Sequence, residues 1–209
     1  MRFEDVTSRS FYESLISSVV GQEVPKDVST IWVSEVTKCL RQSYFTRLKP
    51  RGFTGPQAVK VFIGRLVHEG LETLLKSKYN VVTELRVDYR VEDFRIVGRV
   101  DAVSLGGEEV IIEFKVVGDV PSEPYLEHVR QVKYYGVLTG VGRGVLVYIS
   151  RDGHILPYII RCGDVRVKDE LLSRARELHN SLKWGRPPKP ERDTSCINCP
   201  YRLECFKQL

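Results

Sequence analysis

The sequence of 209 residues lacks any long apolar segment. A membrane-spanning helix needs roughly 20 consecutive apolar residues, and no run here approaches that length, so we expect no integral membrane protein. The amino-terminal residues are too polar for a secretory signal, which predicts a cytoplasmic location. Cysteine is scarce, with five residues, and in a cytoplasmic chain they favour metal or redox chemistry over disulfides.

The residues that are present describe a folded protein with a slight excess of positive charge. Hydrophobic residues make up 42% of the chain and charged residues 28%, as in ordinary globular proteins. A chain of this length buries roughly 70% of its unfolded surface, so one core can form without disulfides. The net charge of +5 is compatible with nucleic-acid binding but does not establish it.

Hydrophobic periodicity predicts helices and strands in the order of a mixed α/β fold. The predicted elements are a helix over the first 20 residues ending before Gly21, a helix from Ser34 that carries Cys39 and Leu40, a helix over about 57–76, strands over 81–91, 94–104 and 110–117, a helix over about 125–138, strands over 145–150 and 155–160, and a helix over about 168–184. We therefore predict a mixed sheet flanked by helices, followed by a cysteine-bearing tail.

The third strand contains the first candidate catalytic residues. It is apolar except for Glu113 and Lys115, and Asp101 precedes them on the neighbouring strand. If the loop between these strands has an odd number of residues, such as a three-residue loop over 106–108, Asp101 and Glu113 are opposed on one face. Their Cβ atoms would then be about 4.5–5.5 Å apart. A two-residue turn would place them on opposite faces.

Two carboxylates placed together repel each other unless a cation lies between them. Mg²⁺ and Mn²⁺ prefer oxygen ligands, so Asp101 and Glu113 predict a hard divalent metal site. Lys115 points the same way and could orient water or stabilise negative charge on a phosphate. The alternative is a structural ion network that joins Lys115 to Asp101 or to Glu113.

Two helices offer further candidate site residues. His68 lies on the helix over 57–76, four residues after Gly64 and at the edge of an apolar stripe that includes Leu66 and Leu74. An imidazole beside two carboxylates would favour Mn²⁺, although a lone helical histidine is more often a packing or surface residue. Gln131 and Tyr135 are four residues apart and share a face of the next helix, where they could bind a phosphate and a base or form an ordinary polar face.

The cysteine pattern is the strongest single signal in the sequence. Cys196, Cys199 and Cys205 lie close together in the tail, and Cys39 is the candidate fourth ligand, whereas Cys162 is isolated and is predicted to be buried. Four thiolates suit zinc or an iron–sulfur cluster. Because one ligand is so distant from the other three, we favour iron–sulfur, and the metal would hold the tail to the amino-terminal helices.

Basic and aromatic residues are interleaved between positions 34 and 65. Basic groups neutralise phosphates and aromatic rings stack on unpaired bases, so this composition suits a single strand of nucleic acid. A generic solvated face is the competing interpretation. The residues that we predict to contact DNA are Arg41, Tyr44 and Arg47.

The order and spacing of these residues resemble a known family. The motifs are G-x3-H (Gly64, His68), G-x2-D (Gly98, Asp101), E-x-K (Glu113, Lys115) and Q-x3-Y (Gln131, Tyr135). They are similar to the motif series of RecB-type nucleases in the PD-(D/E)xK superfamily. The arrangement of one cysteine plus three narrows the resemblance to the RecB-like exonucleases of CRISPR systems, the fourth core CRISPR-associated protein. Val100 stands where the superfamily's namesake motif has proline, as is usual in the RecB branch.

The resemblance implies a restriction-endonuclease-like α/β core with a cysteine-ligated cluster, for which four irons are favoured over two. It implies cleavage of single-stranded DNA with Mg²⁺ or Mn²⁺, mostly from an end, together with the CRISPR integrase during spacer capture. The roles it implies are metal ligands at His68, Asp101 and Glu113, a catalytic lysine at Lys115, substrate positioning by Gln131 and Tyr135, and cluster ligands at Cys39, Cys196, Cys199 and Cys205.

We expect one nuclease unit over residues 1–209. Its core would span 55–185, and a cluster subdomain would combine 30–50 with 186–209. Two other interpretations are a non-catalytic module, in which the cysteine site and the basic residues bind DNA or a protein, and a zinc-stabilised nucleic-acid-binding protein.

Overall fold

The computed structural model describes residues 8–20, 27–53 and 55–207. In chain order the elements are α1 (Arg9–Val19), β1 (Thr30–Trp32), α2 (Val33–Val36), α3 (Leu40–Leu48), α4 (Gly55–Lys78), β2 (Val81–Val91), β3 (Phe94–Ser104), β4 (Val110–Val117), α5 (Leu126–Thr139), β5 (Arg143–Ser150), β6 (Ile155–Arg161), α6 (Val165–Trp184), a 3-10 helix (Thr194–Asn198) and α7 (Arg202–Phe206). Residues 1–7 of the predicted first helix, and Gly21 beyond its end, lie outside the described residues.

Two long antiparallel strands, β2 and β3, form one half of the sheet. Their side chains alternate between a buried apolar face and an exposed charged face, as the sequence predicted. β3 also pairs with β1 in parallel and with β4 in antiparallel orientation, and β4, β5 and β6 continue the sheet. Because β4 and β5 are parallel, their connection must cross over the sheet, and α5 lies in that connection.

The buried core lies between one face of this sheet and helices α5 and α6. Apolar side chains from both layers are fully buried there, among them Ile96, Val100, Leu146, Val132 and Leu171. The mixed α/β fold with a six-stranded sheet flanked by helices is therefore confirmed. No helix among the described residues is long and apolar enough to cross a membrane.

The helix predicted from Ser34 is wrong, because the chain forms two helices with a break at residues 37–39. Other parts of the chain take the hydrogen bonds that a continuous helix would use. Arg174 donates to the carbonyl of Val36 at 2.7 Å, and Glu191 accepts from the N–H of Leu40 at 2.9 Å. The break leaves Cys39 in a non-helical conformation before the first turn of α3.

The apolar stripe predicted for α4 is also wrong in part. Leu66 and Leu74 are half exposed, whereas Glu72 is only 9% exposed and is buried together with Ala58. The reason is the position of the helix: it lies beside the strands that carry the predicted site and turns polar side chains toward it. His68 and Glu72, one turn apart, both line the cleft there.

Candidate active site

The predicted site lies where β3 exchanges one strand partner for another. β2 occupies one edge of β3, so β1 and β4 share the other edge. β1 pairs with residues 95–97 and β4 with residues 102–104, and within the described ranges no strand pairs with residues 98–101 on that edge. This gap leaves Asp101 and the backbone before it accessible to side chains from other elements.

Asp101 is contacted from two directions at the gap. The N–H of Phe114 on β4 donates to Asp101 Oδ2 at 2.9 Å, and His68 Nδ1 on α4 lies 3.3 Å from the same oxygen. Burial lowers the pKa of His68, but the hydrogen bond and the charge of Asp101 outweigh burial and raise the pKa above its usual value. The tertiary fold therefore joins two of the three predicted metal ligands.

The ion pair of buried Glu113 with partly buried Lys115 lies beside them. Lys115 Nζ donates to Glu113 Oε1 at 2.7 Å, and in the described part of the chain Glu113 Oε2 has no hydrogen-bond partner. Burial and, to a smaller extent, the charge of Asp101 raise the pKa of Glu113 to about 7, against the lowering effect of Lys115. Burial lowers the pKa of Lys115, but Glu113 and Asp101 raise it by more. An unpartnered buried carboxylate oxygen is costly, so this side of the site fits an added cation.

The register of β3 and β4 confirms the geometry predicted for the two carboxylates. Ala102 pairs with Ile112 and Val103 with Ile111, and this register places Asp101 opposite Glu113. Both strands have the predicted bounds, and residues 105–109 connect them, so the connection is odd in length although it is longer than the three-residue example. The Glu113–Lys115 ion pair that formed the structural alternative is also present, so ion pair and carboxylate cluster coexist.

Glu72 is a site residue that the sequence analysis missed. One ligand atom each from His68, Glu72 and Asp101 lies within 4.8 Å of the others, whereas Glu113 is outside this group. Burial and the neighbouring carboxylates of Glu84 and Asp101 raise the pKa of Glu72. The available signal was its spacing, because residues four apart on a helix share a face and His68 already marked that face.

Tyr135 occupies the gap in the strand pairing. Its hydroxyl accepts a hydrogen bond from the backbone N–H of Arg99 at 3.3 Å and interacts with Gln131. Burial raises the pKa of Tyr135 far above its usual range, so the phenol remains neutral. Gly98 makes room for it, because a Cβ at that position would lie 2.7 Å from Tyr135 Cε1. The motifs G-x2-D and Q-x3-Y are thus in direct contact.

The predicted catalytic residues line one cleft of about 1000 Å³. His68, Asp101, Glu113, Lys115, Gln131 and Tyr135 all contribute to its walls, together with Glu72. The group combines an imidazole with several carboxylates, the donor set that Mn²⁺ and Mg²⁺ accept in proteins. The residues present therefore fit a divalent metal.

The four predicted cluster ligands line a second, smaller cavity of about 40 Å³. Burial raises the pKa of the Cys199 thiol. The charges of Cys39, Cys196 and Cys205 raise it as well, so the four sulfur atoms are close enough to influence one another. Cys162 is buried elsewhere, as predicted. A zinc ion held by four thiolates brings their sulfur atoms to about 3.8 Å from one another. Within the described ranges, no three of these sulfur atoms lie mutually within 4.8 Å.

The residues predicted to contact DNA do not form an exposed surface. Arg41 is buried and donates to the carbonyls of Pro188 and Cys205, Arg47 is bound to Glu35, and Tyr44 is 3% exposed. The prediction is corrected on this physical ground: Arg41 holds α3 to the tail, and Arg47 holds α3 to Glu35 and to the carbonyls of Asp27 and Thr30. The basic residues that line the active-site cleft lie instead on β2, β3, β4 and α4.

Comparison by sequence supports the nuclease interpretation. No protein-family model matches the chain. The chain is 29% identical over 134 residues to the CRISPR-associated exonuclease Cas4 of Saccharolobus solfataricus. The match covers 61% of this chain and 66% of that relative, so it spans slightly less than two thirds of the relative's length.

Comparison by structure shows the same fold in three solved proteins, two of which are named exonucleases. The crystal structure of SSO0001 matches with a TM-score of 0.71 and 23% identity, covering 96% of both chains. An alkaline exonuclease from Laribacter hongkongensis matches at a TM-score of 0.51 and 14% identity, covering 75% of this chain and 91% of that one. A phage-related exonuclease from Haemophilus somnus 129PT matches at 0.52 and 14% identity, covering 81% and 99%. The sequence match bears out the resemblance to the CRISPR-associated exonucleases, and the structural matches show the shared fold.

Proposed function

We propose that this chain is a divalent-metal-dependent deoxyribonuclease that acts from an end of single-stranded DNA. The observation that carries the proposal is the convergence of His68, Glu72 and Asp101 beside the Glu113–Lys115 pair in one open cleft. These groups come from α4, β3 and β4, so their proximity results from the fold and not from one local segment.

The residues have distinct roles in hydrolysis of a phosphodiester. His68, Glu72, Asp101 and the unpartnered oxygen of Glu113 would hold the metal ion. When bound, the ion would supply Lewis-acid stabilisation of the phosphate and a lowered pKa for its water ligand. Lys115, fixed by Glu113 at 2.7 Å, presents a positive charge to the phosphate oxygens.

Tyr135 and Gln131 would position the substrate strand and would not contribute charge to the reaction. The Tyr135 hydroxyl is held against the β3 backbone at the gap, and both side chains line the cleft next to Asp101. A neutral phenol and an amide can donate hydrogen bonds to a phosphate without adding net charge. They would hold the substrate strand with its scissile phosphate at the carboxylates.

The four cysteines would hold an iron–sulfur cluster. Their thiols line one cavity, and the arrangement of one distant cysteine with three close together in the tail favours an iron–sulfur cluster over zinc. The cluster would connect Cys39 at the start of α3 with the three cysteines of the tail. Its function there would be to hold the ends of the chain together.

The biological setting is part of the same proposal. The relative found by sequence is named a CRISPR-associated exonuclease. By analogy, this chain would trim DNA in the cytoplasm for capture as new spacers, together with the CRISPR integrase. We place the nuclease core at 55–185 and the cluster region at 30–50 plus 186–209.

Substitution of Asp101 by asparagine tests the enzymatic proposal. Asp101→Asn removes a metal-ligand charge and should lower cleavage of end-labelled single-stranded DNA in Mn²⁺ about 1,000-fold, because a bound metal supplies several kcal/mol to the transition state. Asp119→Asn, an exposed carboxylate in the loop after β4, should cleave at the parent's rate. Cleavage products of each variant are measured on single- and double-stranded substrates, and the unfolding midpoint of each variant checks that it is folded.

Two outcomes contradict the proposal. Cleavage by Asp101→Asn at the parent's rate would show that the site is misassigned. Absence of metal-dependent cleavage of every DNA form by the parent, with DNA binding retained, would identify a non-catalytic binding module instead.

A further inference from the structure

The exposed face of β2 and β3 carries an arrangement of arginines that packing does not explain. Side chains opposed across antiparallel strands share a face, and Arg99 lies two residues before Asp101, so both are on the same face of β3. On that face Arg86 is paired with Arg99, and Arg90 is paired with Arg95. Two pairs of directly opposed arginines therefore precede Asp101 on β3.

Directly opposed like charges destabilise a sheet. Arg99 is relieved by Glu84 at 2.9 Å and Arg95 by Asp88 at 3.2 Å. Arg86 and Arg90 are exposed, and among the described residues neither forms an ion pair with an acidic group. The fold thus retains unfavourable charge pairs beside the site, which favours a role in binding an anion.

Three of the four arginines open into the same cleft as the predicted catalytic residues, and Arg90 lies beside it as the strand partner of Arg95. Arg86, Arg95 and Arg99 line it together with Asp101 and Lys115. Two residues of a strand span about 7 Å and six span about 20 Å, so Arg99 and Arg95 lie at about these distances from Asp101 along β3. Such a row is long enough to contact several successive phosphates.

One aromatic residue of the same cleft identifies the kind of nucleic acid. Trp32, at the end of β1, is partly exposed and lines the cleft near Arg95 and its partner Thr30. Basic grooves that include aromatic rings bind single strands, because the bases of a single strand are free to stack. A base pair in a duplex does not offer that face.

Resting on the proposed nuclease function, we propose that Arg86, Arg90, Arg95 and Arg99 form a phosphate track, with Trp32 as a stacking platform, that leads one DNA strand to Asp101. The track replaces the buried Arg41 and Arg47 as the DNA-binding surface. It acts in binding and positioning, and its arginines take no part in the chemical step.

The experiment measures binding of a fluorescein-labelled oligodeoxythymidine to the full-length protein. All variants carry Asp101→Asn so that the strand is not cut. Substituting Arg86→Gln and Arg99→Gln together should raise Kd about 10-fold or more and lower the slope of log Kd against log salt by about 1.4, since each phosphate contact on a single strand contributes about 0.7.

The chain offers a matched control in another opposed pair of exposed arginines. Arg143 on β5 is paired with Arg161 on β6, and neither lines the cleft. Arg143→Gln with Arg161→Gln removes the same net charge and should leave Kd and the salt slope unchanged. Thermal unfolding should show little change in stability for the Arg86/Arg99 variant, because loss of the exposed Arg99–Glu84 ion pair is offset by removal of the repulsion between the two arginines.

Equal Kd and salt slope for the Arg86/Arg99 and the control variants would overturn the track. The track would also be overturned if the Arg86/Arg99 variant bound DNA weakly only because it was unfolded under the conditions of the binding assay. A further variant, Trp32→Leu, should weaken binding of the single strand but not of a duplex, and equal weakening of both would exclude the stacking role.

The track and the proposed nuclease function can fail separately. In the catalytically intact protein, Arg86→Gln with Arg99→Gln should raise KM for single-stranded DNA with little change in kcat. If the parent does not cleave DNA but its binding of a single strand still depends on Arg86 and Arg99, the track is supported and the nuclease function is not. If the parent is active and the Arg86/Arg99 substitutions leave KM unchanged, the hydrolytic function is retained and the track is excluded.

Discussion

Glu72 on α4 shows how a single buried residue changes the description of the site. It lies one helical turn after His68, and one ligand atom of each residue lies within 4.8 Å of Asp101. Burial and neighbouring carboxylates raise the pKa of Glu72, so its ionised form is destabilised until a cation is close. We therefore assign it to the metal-binding group together with the ligands predicted from the motifs.

Glu72→Gln should weaken Mn²⁺ binding by a factor of about 10 to 100, as removal of metal-site residues commonly does. The concentration of Mn²⁺ that gives half-maximal cleavage measures the effect. The fold should be retained, because the substitution keeps the shape of the side chain and removes a buried charge. Glu69→Gln, on the same helix but exposed, is the control. An unchanged Mn²⁺ requirement in Glu72→Gln would exclude Glu72 as a ligand.

Strand pairing around β3 shows how whole elements create the site. β1 and β4 meet the same edge of β3 and leave a gap, and the side chain of Tyr135 from α5 reaches the exposed backbone there. Gly98 permits this approach, since any side chain would collide with Tyr135 and with Val33 Cγ2 at 3.1 Å. The glycine of this motif is therefore a packing requirement of the neighbouring helix.

Two glycine substitutions should have opposite effects on stability. Gly98→Ala should destabilise the protein by about 1–3 kcal/mol, because the added methyl group overpacks against Tyr135. Gly64→Ala lies inside α4 with nothing within 4 Å of the new methyl group, and should stabilise the protein by roughly 0.5–1 kcal/mol.

Urea unfolding of both variants measures these changes. Pairing Gly98→Ala with Tyr135→Leu should recover part of the lost stability, as expected of residues in contact. Additive effects in that pair would show that the predicted clash with Tyr135 is absent.

The two ends of the described chain are joined by more than the cysteines. Arg174 on α6 donates to carbonyls before α3 and to Glu191 of the tail at 3.0 Å, and Glu191 also accepts from Leu40. Tyr201 is buried, and its hydroxyl donates to the carbonyl of Lys49. The tail therefore has protein contacts of its own in addition to any metal that the cysteines hold.

Cys199→Ser should lose iron, and Cys162→Ala should retain it. Cys199 faces the other three thiols of the cavity, whereas Cys162 is buried elsewhere beside Val132. Metal analysis and visible absorption of anaerobically purified protein measure the result. Loss of the cluster should lower stability without abolishing the fold, because Arg174 and Tyr201 still hold the tail. Zinc in place of iron would show that the site binds one metal ion rather than a cluster.

Much of the fold and part of the site followed from local pattern. Alternation of side chains along paired strands predicted that Asp101 and Glu113 would be opposed if the connection between β3 and β4 were odd in length, and the structure has an odd connection. The spacing of His68 from Gly64 and of Tyr135 from Gln131 marked two helix faces. The two-residue turn at 92–93 fixes the register of β2 and β3, so the opposition of Arg86 and Arg99 could also have been predicted from the sequence.

The sequence alone thus determined which side chains share a strand or helix face, since that depends only on the geometry of each element. The tertiary structure decided which faces are covered. It buried Arg41, Arg47 and Tyr44, which composition had placed on a DNA-binding surface, and it turned Glu72 toward Asp101. It also divided one predicted helix at Cys39 through Arg174 and Glu191. These outcomes depend on partners more than 100 residues away or on neighbouring elements, which no local pattern contains.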